Sequence, residues 1–370
     1  IKAALICLHG DGSTYDKNFI DAFKTACANK GLTDNDYAIK VNIEEGQACY
    51  DEAAAFADDG YDIVFADSFG HEPYMLQAAR EFPDVEFCHA TGTQAHTAKL
   101  ANFHDAFASI YEARYMAGVA AGLKLVELYG NDQGVVSDSD AKIGYVGAFP
   151  YAEVISGFTS FFLGVKSIVP NVTMEVRYTN SWFDITAENT TATALIESGC
   201  KLISQHADSM GAPNACETAD VPNVAYNIAT GTDTFVIASR INWVPYFEYC
   251  LDCVMNNKAI DTDWVGTLAN GAVQVTALGA NAAEGTQAKL DEVRQALLNG
   301  EIKVFNVANF TIGGVTPTSM MADVDDDGTY SHETEALVTE GGVTYFAEST
   351  KRSAPYFDFI IDGITSVVEN

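Results

Sequence analysis

Basic residues are scarce in this chain of 370: lysine and arginine number 20 against 51 aspartates and glutamates, a formal net charge of −31. A surface so negative repels phosphate backbones and anionic lipid heads, which argues against nucleic-acid binding and electrostatic membrane binding. No stretch reaches the roughly 18 consecutive apolar residues of a membrane-spanning helix. Eight cysteines are too few for a disulfide-built scaffold. Cys7 and Cys88 sit in apolar strand patterns and read as core. Cys250 and Cys253 form a CxxC inside a helical pattern, without the second pair that a zinc site uses. The histidines form no HxxxH or HExxH, the serines no GxSxG, and His9-Gly10-Asp11-Gly12-Ser13 has neither GxGxxG nor P-loop spacing. Metal catalysis, hydrolase chemistry and phosphate binding therefore lack their usual signatures, and no cofactor is expected. The chain opens directly on an apolar strand pattern, so any export segment is expected to lie outside it.

What is present is core-forming material. The chain is 48% hydrophobic with 17 Tyr, 21 Phe and 3 Trp, which excludes disorder as the main state. Its length suits about two domains. Short apolar runs at 3–8, 37–42, 62–66 and 84–90 alternate with helix-like runs at 17–30, 47–58 and 71–81. Strands apolar on both faces belong to a parallel sheet covered by helices. A second series follows: helix 106–124, strand 142–147, helix 153–168, strand 173–178, helix 186–198, strand 201–205, helix 212–219, strands 223–227 and 234–239, helix 243–257, a strand near 272–277 and helix 285–299. The stretch 302–348 is rich in glycine and β-branched residues and reads as added hairpins. The expected fold class is α/β, two doubly wound lobes, one from 1–102 plus 240–268 and the other from 103–239 plus 269–370.

Open parallel sheets bind ligands beyond the carboxyl ends of their strands. Those loops are 9–16, 67–70, 147–150, 180–184, 206–209 and 226–227. They are aromatic, acidic and amide-rich with almost no basic residue, a set suited to a flat, neutral ligand rich in hydrogen-bonding groups.

Several segments together carry a likeness to a known family: Ile110 to Gly118 (IYEARYMAG), Lys142 to Pro150 (KIGYVGAFP), the helix with Gly157, Phe161 and Gly164, Tyr178 to Asp184 (YTNSWFD), and Gln205 to Ser209 (QHADS). Over roughly residues 1–280 the chain resembles the basic membrane protein family of substrate-binding lipoproteins for ABC importers, which includes purine-nucleoside-binding members. The resemblance implies a type I periplasmic-binding-protein fold, two lobes joined by three crossings near 100–104, 236–242 and 264–271. It further implies no catalysis, an ABC permease as partner, an extracytoplasmic location and a lipid anchor outside the given chain. It puts Tyr15 and Trp182 on opposite faces of a purine, with Asp16 and Asp184 in the same loops. Asn227 stands where nucleoside binders often carry an Asp for the ribose, which allows a free base as ligand, and Asn242 where some carry a Lys.

Phe69, Asn102, Phe149, Asp208 and Trp243 complete the candidate ligand-binding residues. Each has a plainer reading. Tyr15 could staple its helix, Asp184 could cap one, and Trp243, Phe69 and Asn102 could serve packing. His206 is a lone histidine beside Asp208, weak ground for a metal or a general base. Asp323-Val-Asp-Asp-Asp327-Gly328 begins like a calcium loop, but Thr334 stands where the closing Glu is needed, and an acidic hairpin turn explains it as well. The rival functions are a sugar- or amino-acid-binding protein of the same fold, a nucleoside-processing enzyme, and a sensor or regulator built on the same lobes.

Overall fold

A computed structural model describes residues 1–325 and 331–367. The chain runs β1 (Ala3–Ile6), α1 (Thr14–Asn29), β2 (Tyr37–Lys40), α2 (Gln47–Asp58), β3 (Ile63–Ala66), α3 (Glu72–Glu81), β4 (Glu86–Ala90), α4 (Ala95–Ala98) and β5 (Phe103–Ala108). It continues through α5 (Tyr111–Tyr129), β6 (Lys142–Gly147), α6 (Ala152–Lys166), β7 (Thr173–Tyr178), α7 (Ile185–Glu197), β8 (Ile203–His206), α8 (Gly211–Ala219), β9 (Asn223–Tyr226) and β10 (Phe235–Ile241). Then come α9 (Val244–Met255), β11 (Asp263–Gly266), β12 (Val273–Val275) and α10 (Thr286–Leu298). The last strands are β13 (Met321–Ala322), β14 (Thr334–Glu335), β15 (Leu337–Glu340), β16 (Val343–Phe346) and β17 (Ile364–Val367).

Two sheets carry the fold. The first has the order β11-β5-β4-β3-β1-β2, the second β12-β10-β9-β8-β6-β7-β17. All pairs are parallel except β10 with β12. Strands β1, β3 and β6 are buried almost throughout, as their continuous apolar runs require. The chain leaves the first sheet after β5, returns at α9, which packs on α1, and leaves again after β11. That makes three crossings, at 109–110, 242–243 and 267–272.

Two expectations need correction here. The helix over 106–124 starts later, because Phe103–Ala108 is a buried strand paired to β4 and β11. The first lobe therefore extends to 108 rather than 102, and residues 240–241 belong to β10 of the second sheet. The stretch 302–348 does hold two hairpins, β13–β14 and β15–β16, and the chain then adds β17 to the edge of the second sheet. The acidic turn expected over 323–328 runs into residues outside the described ones.

Helices α5 and α6 lie in close backbone contact because glycine faces glycine. A methyl group on Gly118 would run into the carbonyl oxygen of Phe161, and one on Gly164 into that of Tyr115. Backbone cannot swing aside as a side-chain tip can, so overpacking strains both helices. Gly118→Ala is expected to destabilise the protein by about 1–3 kcal/mol in urea unfolding. A midpoint equal to that of the parent would show that the helices part freely.

Candidate ligand-binding site

Twelve residues line a narrow, nearly closed cavity of about 20 Å³ between the lobes: Leu8, Tyr15, Asp16, Asp67, Ser68, Phe69, Thr91, Glu153, Trp182, His206, Asp208 and Tyr226. Each lies at or just past the carboxyl end of a strand, in both sheets. The lobes touch around it. Thr14 N–H donates to the Asp208 carbonyl at 2.8 Å, the Phe69 and Tyr151 rings meet at 5.3 Å, and those of His9 and Phe183 at 5.2 Å.

The β1–α1 loop is held by reciprocal capping. Ser13 caps α1, taking the Asp16 N–H at 3.2 Å, while its hydroxyl donates to the Asp16 carboxylate at 2.6 Å. His9 N–H adds a third bond, at 2.8 Å. Burial pushes the Asp16 carboxyl up, but the hydrogen bonds from His9 and Ser13 outweigh it and hold it below the usual carboxylate range. Tyr15 lies one residue earlier, its hydroxyl donating to the Asp67 carbonyl at 2.7 Å, so its ring is anchored at the tip.

Asp67 accepts from Leu8 N–H at 3.2 Å, and its other oxygen has no partner among the described residues. Burial, and then the neighbouring Asp16, push its carboxyl well above the usual range. Thr91, just after β4, adopts φ +72, a left-handed conformation costly for a β-branched residue, and its hydroxyl is buried without a partner among the described residues.

The second lobe supplies the other wall. Trp182 meets Phe149 edge-on at 5.1 Å and Tyr151 at 6.0 Å. Its carbonyl accepts the Asp208 N–H at 2.9 Å, so the two loops are tied together. The Asp208 carboxyl is buried and makes no hydrogen bond among the described residues. Burial, then Asp16, Glu188 and Glu153, push it well above the ordinary range. Glu153, in the first turn of α6, is pushed up to about 7 by burial, against the opposing pull of Arg114. Burial and then Arg114 drive the His206 imidazole well below its usual range, leaving it neutral beside Glu153 at 3.4 Å. Arg114 itself lies behind the floor, its guanidinium 3.8 Å from the Tyr226 ring centre, with one nitrogen donating to the Gln205 carbonyl at 3.1 Å.

The slot thus offers aromatic faces and carboxyl groups, with no lysine or arginine in its lining. Cys7, Asp16 and Asp67 bring potential metal-ligating atoms within 4.8 Å of one another, but Asp16 spends its oxygens on His9 and Ser13. A second such group, Glu72, His89 and Asp105, lies outside the cavity lining.

Of the residues singled out in the sequence, Tyr15, Asp16, Phe69, Trp182 and Asp208 come together here. The others do not line the cavity. Phe149 stands one layer back, stacked on Tyr151 at 5.0 Å. Asp184 caps α7 through Ala187 N–H at 2.8 Å. Asn102 precedes β5 at the wrong end of the sheet, its amide donating to the carbonyls of Ala79, Phe82 and Val85. Trp243 is core, stacked on Phe19 at 4.4 Å. Asn227, at φ +68, lines a separate surface groove with Arg240 and Asn242. Sequence reasoning passed over Asp67, Ser68, Thr91, Glu153 and Tyr226, and set His206 aside. The loops at 67–70, 206–209 and 226–227 did point at most of these, since each falls at a strand's carboxyl end.

The sequence matches the family model described as ABC transporter substrate-binding protein PnrA-like over residues 6–306. A putative ABC transporter glucose-binding protein from Haloferax volcanii is 30% identical over 254 residues, 68% of this chain and 60% of the relative, so under two thirds of that relative's length is matched. A purine-binding protein from Brucella abortus is 30% identical over 272 residues, 71% of either chain. Among solved structures, an ABC transporter solute-binding protein from Aeropyrum pernix superposes with a TM-score of 0.68 at 15% identity, over 86% of this chain and 94% of the other. The chain is therefore a member of the basic membrane protein family of ABC-transporter substrate-binding proteins.

Proposed function

We propose that the protein captures a purine base or purine nucleoside outside the cytoplasm, closing its two lobes over it, and delivers it chemically unchanged to an ABC permease, with a lipid anchor holding it at the membrane. The observation that carries this reading is the slot itself: an aromatic ring from each lobe, Tyr15 and Trp182, and a buried Asp208 carboxyl without a hydrogen-bond partner among the described residues. With the lobes parted, a flat heteroaromatic ring enters the slot by stacking, and its edge N–H groups and ring nitrogens pair with carboxyl groups that, when protonated, both donate and accept. A ligand without those donors leaves a buried carboxyl unmatched, which costs several kcal/mol. The purine-binding name of the Brucella abortus relative supports the same ligand class. The family model and the Aeropyrum pernix neighbour are of transport proteins, in keeping with capture without catalysis.

A sugar is the second reading. The Haloferax volcanii relative is named for glucose, and carboxylates beside aromatic rings also suit hydroxyls. Calorimetry with adenine, adenosine and glucose separates the two. Purine binding with no glucose signal is expected, and the reverse would replace the purine by a sugar. Trp182→Ala is expected to weaken purine affinity by about 10-fold or more; an unchanged affinity would remove Trp182 from the site. Asp208→Asn is expected to reorder preference among purines, and equal losses for all of them would deny it an edge-reading role.

The slot also leaves a signature in the unliganded protein. Glu153 holds its proton up to about 7 when folded and releases it from 4.5 upward when unfolded. The folded state therefore binds the extra proton across that window, and stability falls as pH rises through it, by about 3 kcal/mol. In Glu153→Gln this loss is absent, so the variant gains on the parent from pH 4.5 to 7 in denaturant titrations. A difference constant with pH would mean Glu153 is already ionised.

A further inference from the structure

Away from the ligand slot, three side chains of the first lobe converge at the carboxyl ends of β4 and β5. Glu72 opens α3, His89 lies in β4 and Asp105 in β5, all three buried. One ligating atom from each lies within 4.8 Å of the other two. His89 Nε2 stands 2.6 Å from the Ser68 carbonyl oxygen, which only accepts, so that nitrogen carries the ring proton. Nδ1 is then a bare lone pair. It is fully buried, has no hydrogen-bond partner among the described residues, and faces Asp105 Oδ1 at 3.8 Å, an atom likewise buried and without a hydrogen-bond partner among them. Two acceptors aimed at each other in a dry interior repel unless something positive sits between them.

The surroundings are those of a ligand set already oriented. The carboxylate oxygens are positioned by their neighbours: Glu72 Oε1 accepts from Thr93 N–H at 2.8 Å and Gln94 N–H at 2.7 Å, Glu72 Oε2 more loosely from the Thr93 hydroxyl at 3.3 Å and the Gln94 amide at 3.4 Å, and Asp105 Oδ2 from Ala95 N–H at 2.8 Å. A histidine whose far nitrogen donates to a carbonyl is the usual outer support of a metal-ligating imidazole. The turn closes tightly over the cluster, since a methyl group on Gly92 would strike the Asp105 carboxylate and the His89 ring.

We propose that Glu72, His89 and Asp105 bind one divalent transition-metal ion of the zinc class. One imidazole and two carboxylates suit zinc, and two negative charges balance its two positive ones without a basic residue. Zinc bonds of about 2.0–2.2 Å would draw the three atoms inward by small side-chain adjustments. The ion would fasten the turn 91–95, which presents Thr91 to the ligand slot, so its role is structural support.

The test uses the full chain, stripped with a chelator and titrated with zinc chloride by calorimetry, with metal content read by plasma mass spectrometry after gel filtration. One zinc per chain is expected, with an unfolding midpoint raised by about 3 °C or more. His89→Gln and Glu72→Gln, each confirmed folded by circular dichroism, are expected to lose at least 100-fold in zinc affinity. Parent protein that keeps no zinc overturns the proposal and leaves a proton shared among these groups. Equal uptake by parent and both variants overturns it as well, because zinc would then reside on the acidic surface. Neither result bears on the purine reading, which stands on separate residues.

Discussion

Four carboxyl groups, Asp16, Asp67, Glu153 and Asp208, share one slot with no basic residue in its wall. Taking carboxylates out of water without a cation is costly, and the protein meets the cost in two different ways. Asp16 is kept ionised by hydrogen bonds from its own loop. Asp67, Glu153 and Asp208 are pushed toward the neutral acid by burial. A protonated carboxyl donates as well as accepts, so one slot presents both functions to a ring edge. The behaviour of the cleft follows from this division.

The scaffold explains why the division is stable. Asp16 sits in the first turn of α1 and accepts from the capping Ser13 hydroxyl and from His9 N–H, so its charge is fixed by the start of that helix. Arg114 supplies a positive charge from behind the wall, stacked on Tyr226 and tied to the Gln205 carbonyl, near enough to pull on Glu153 yet outside the lining. Its position rests on α5, which the glycine contact with α6 sets close against its neighbour. Electrostatics at the slot thus trace back to small residues on a helix pair.

Much of the fold was legible because parallel strands buried on both faces write themselves as short apolar runs. The strand β5 was not, since Phe103-His-Asp-Ala-Phe-Ala108 flows into the helical pattern of α5 with only Ser109 and Ile110 between them. That error placed Asn102 at a crossing, where it seemed free to meet ligand, when it closes the α3–β4 turn at the opposite end of the sheet. Asp208 and Trp182 were readable from the rule about strand ends. Glu153 was not, because one acidic residue in the first turn of a helix looks like ordinary dipole pairing. Asp184 and Trp243 show the converse: helix starts and core packing select the same residue types as ligand sites do.

Asp208 has its side chain in the slot and its carbonyl bonded to Thr14 of the facing lobe, while its N–H is bonded to Trp182. One backbone hydrogen bond, from Thr14 N–H to the Asp208 carbonyl, therefore ties the two lobes together beside the carboxyl proposed to meet the ligand. On the proposed reading, a solute that displaces this loop also strains the bond that holds the lobes closed.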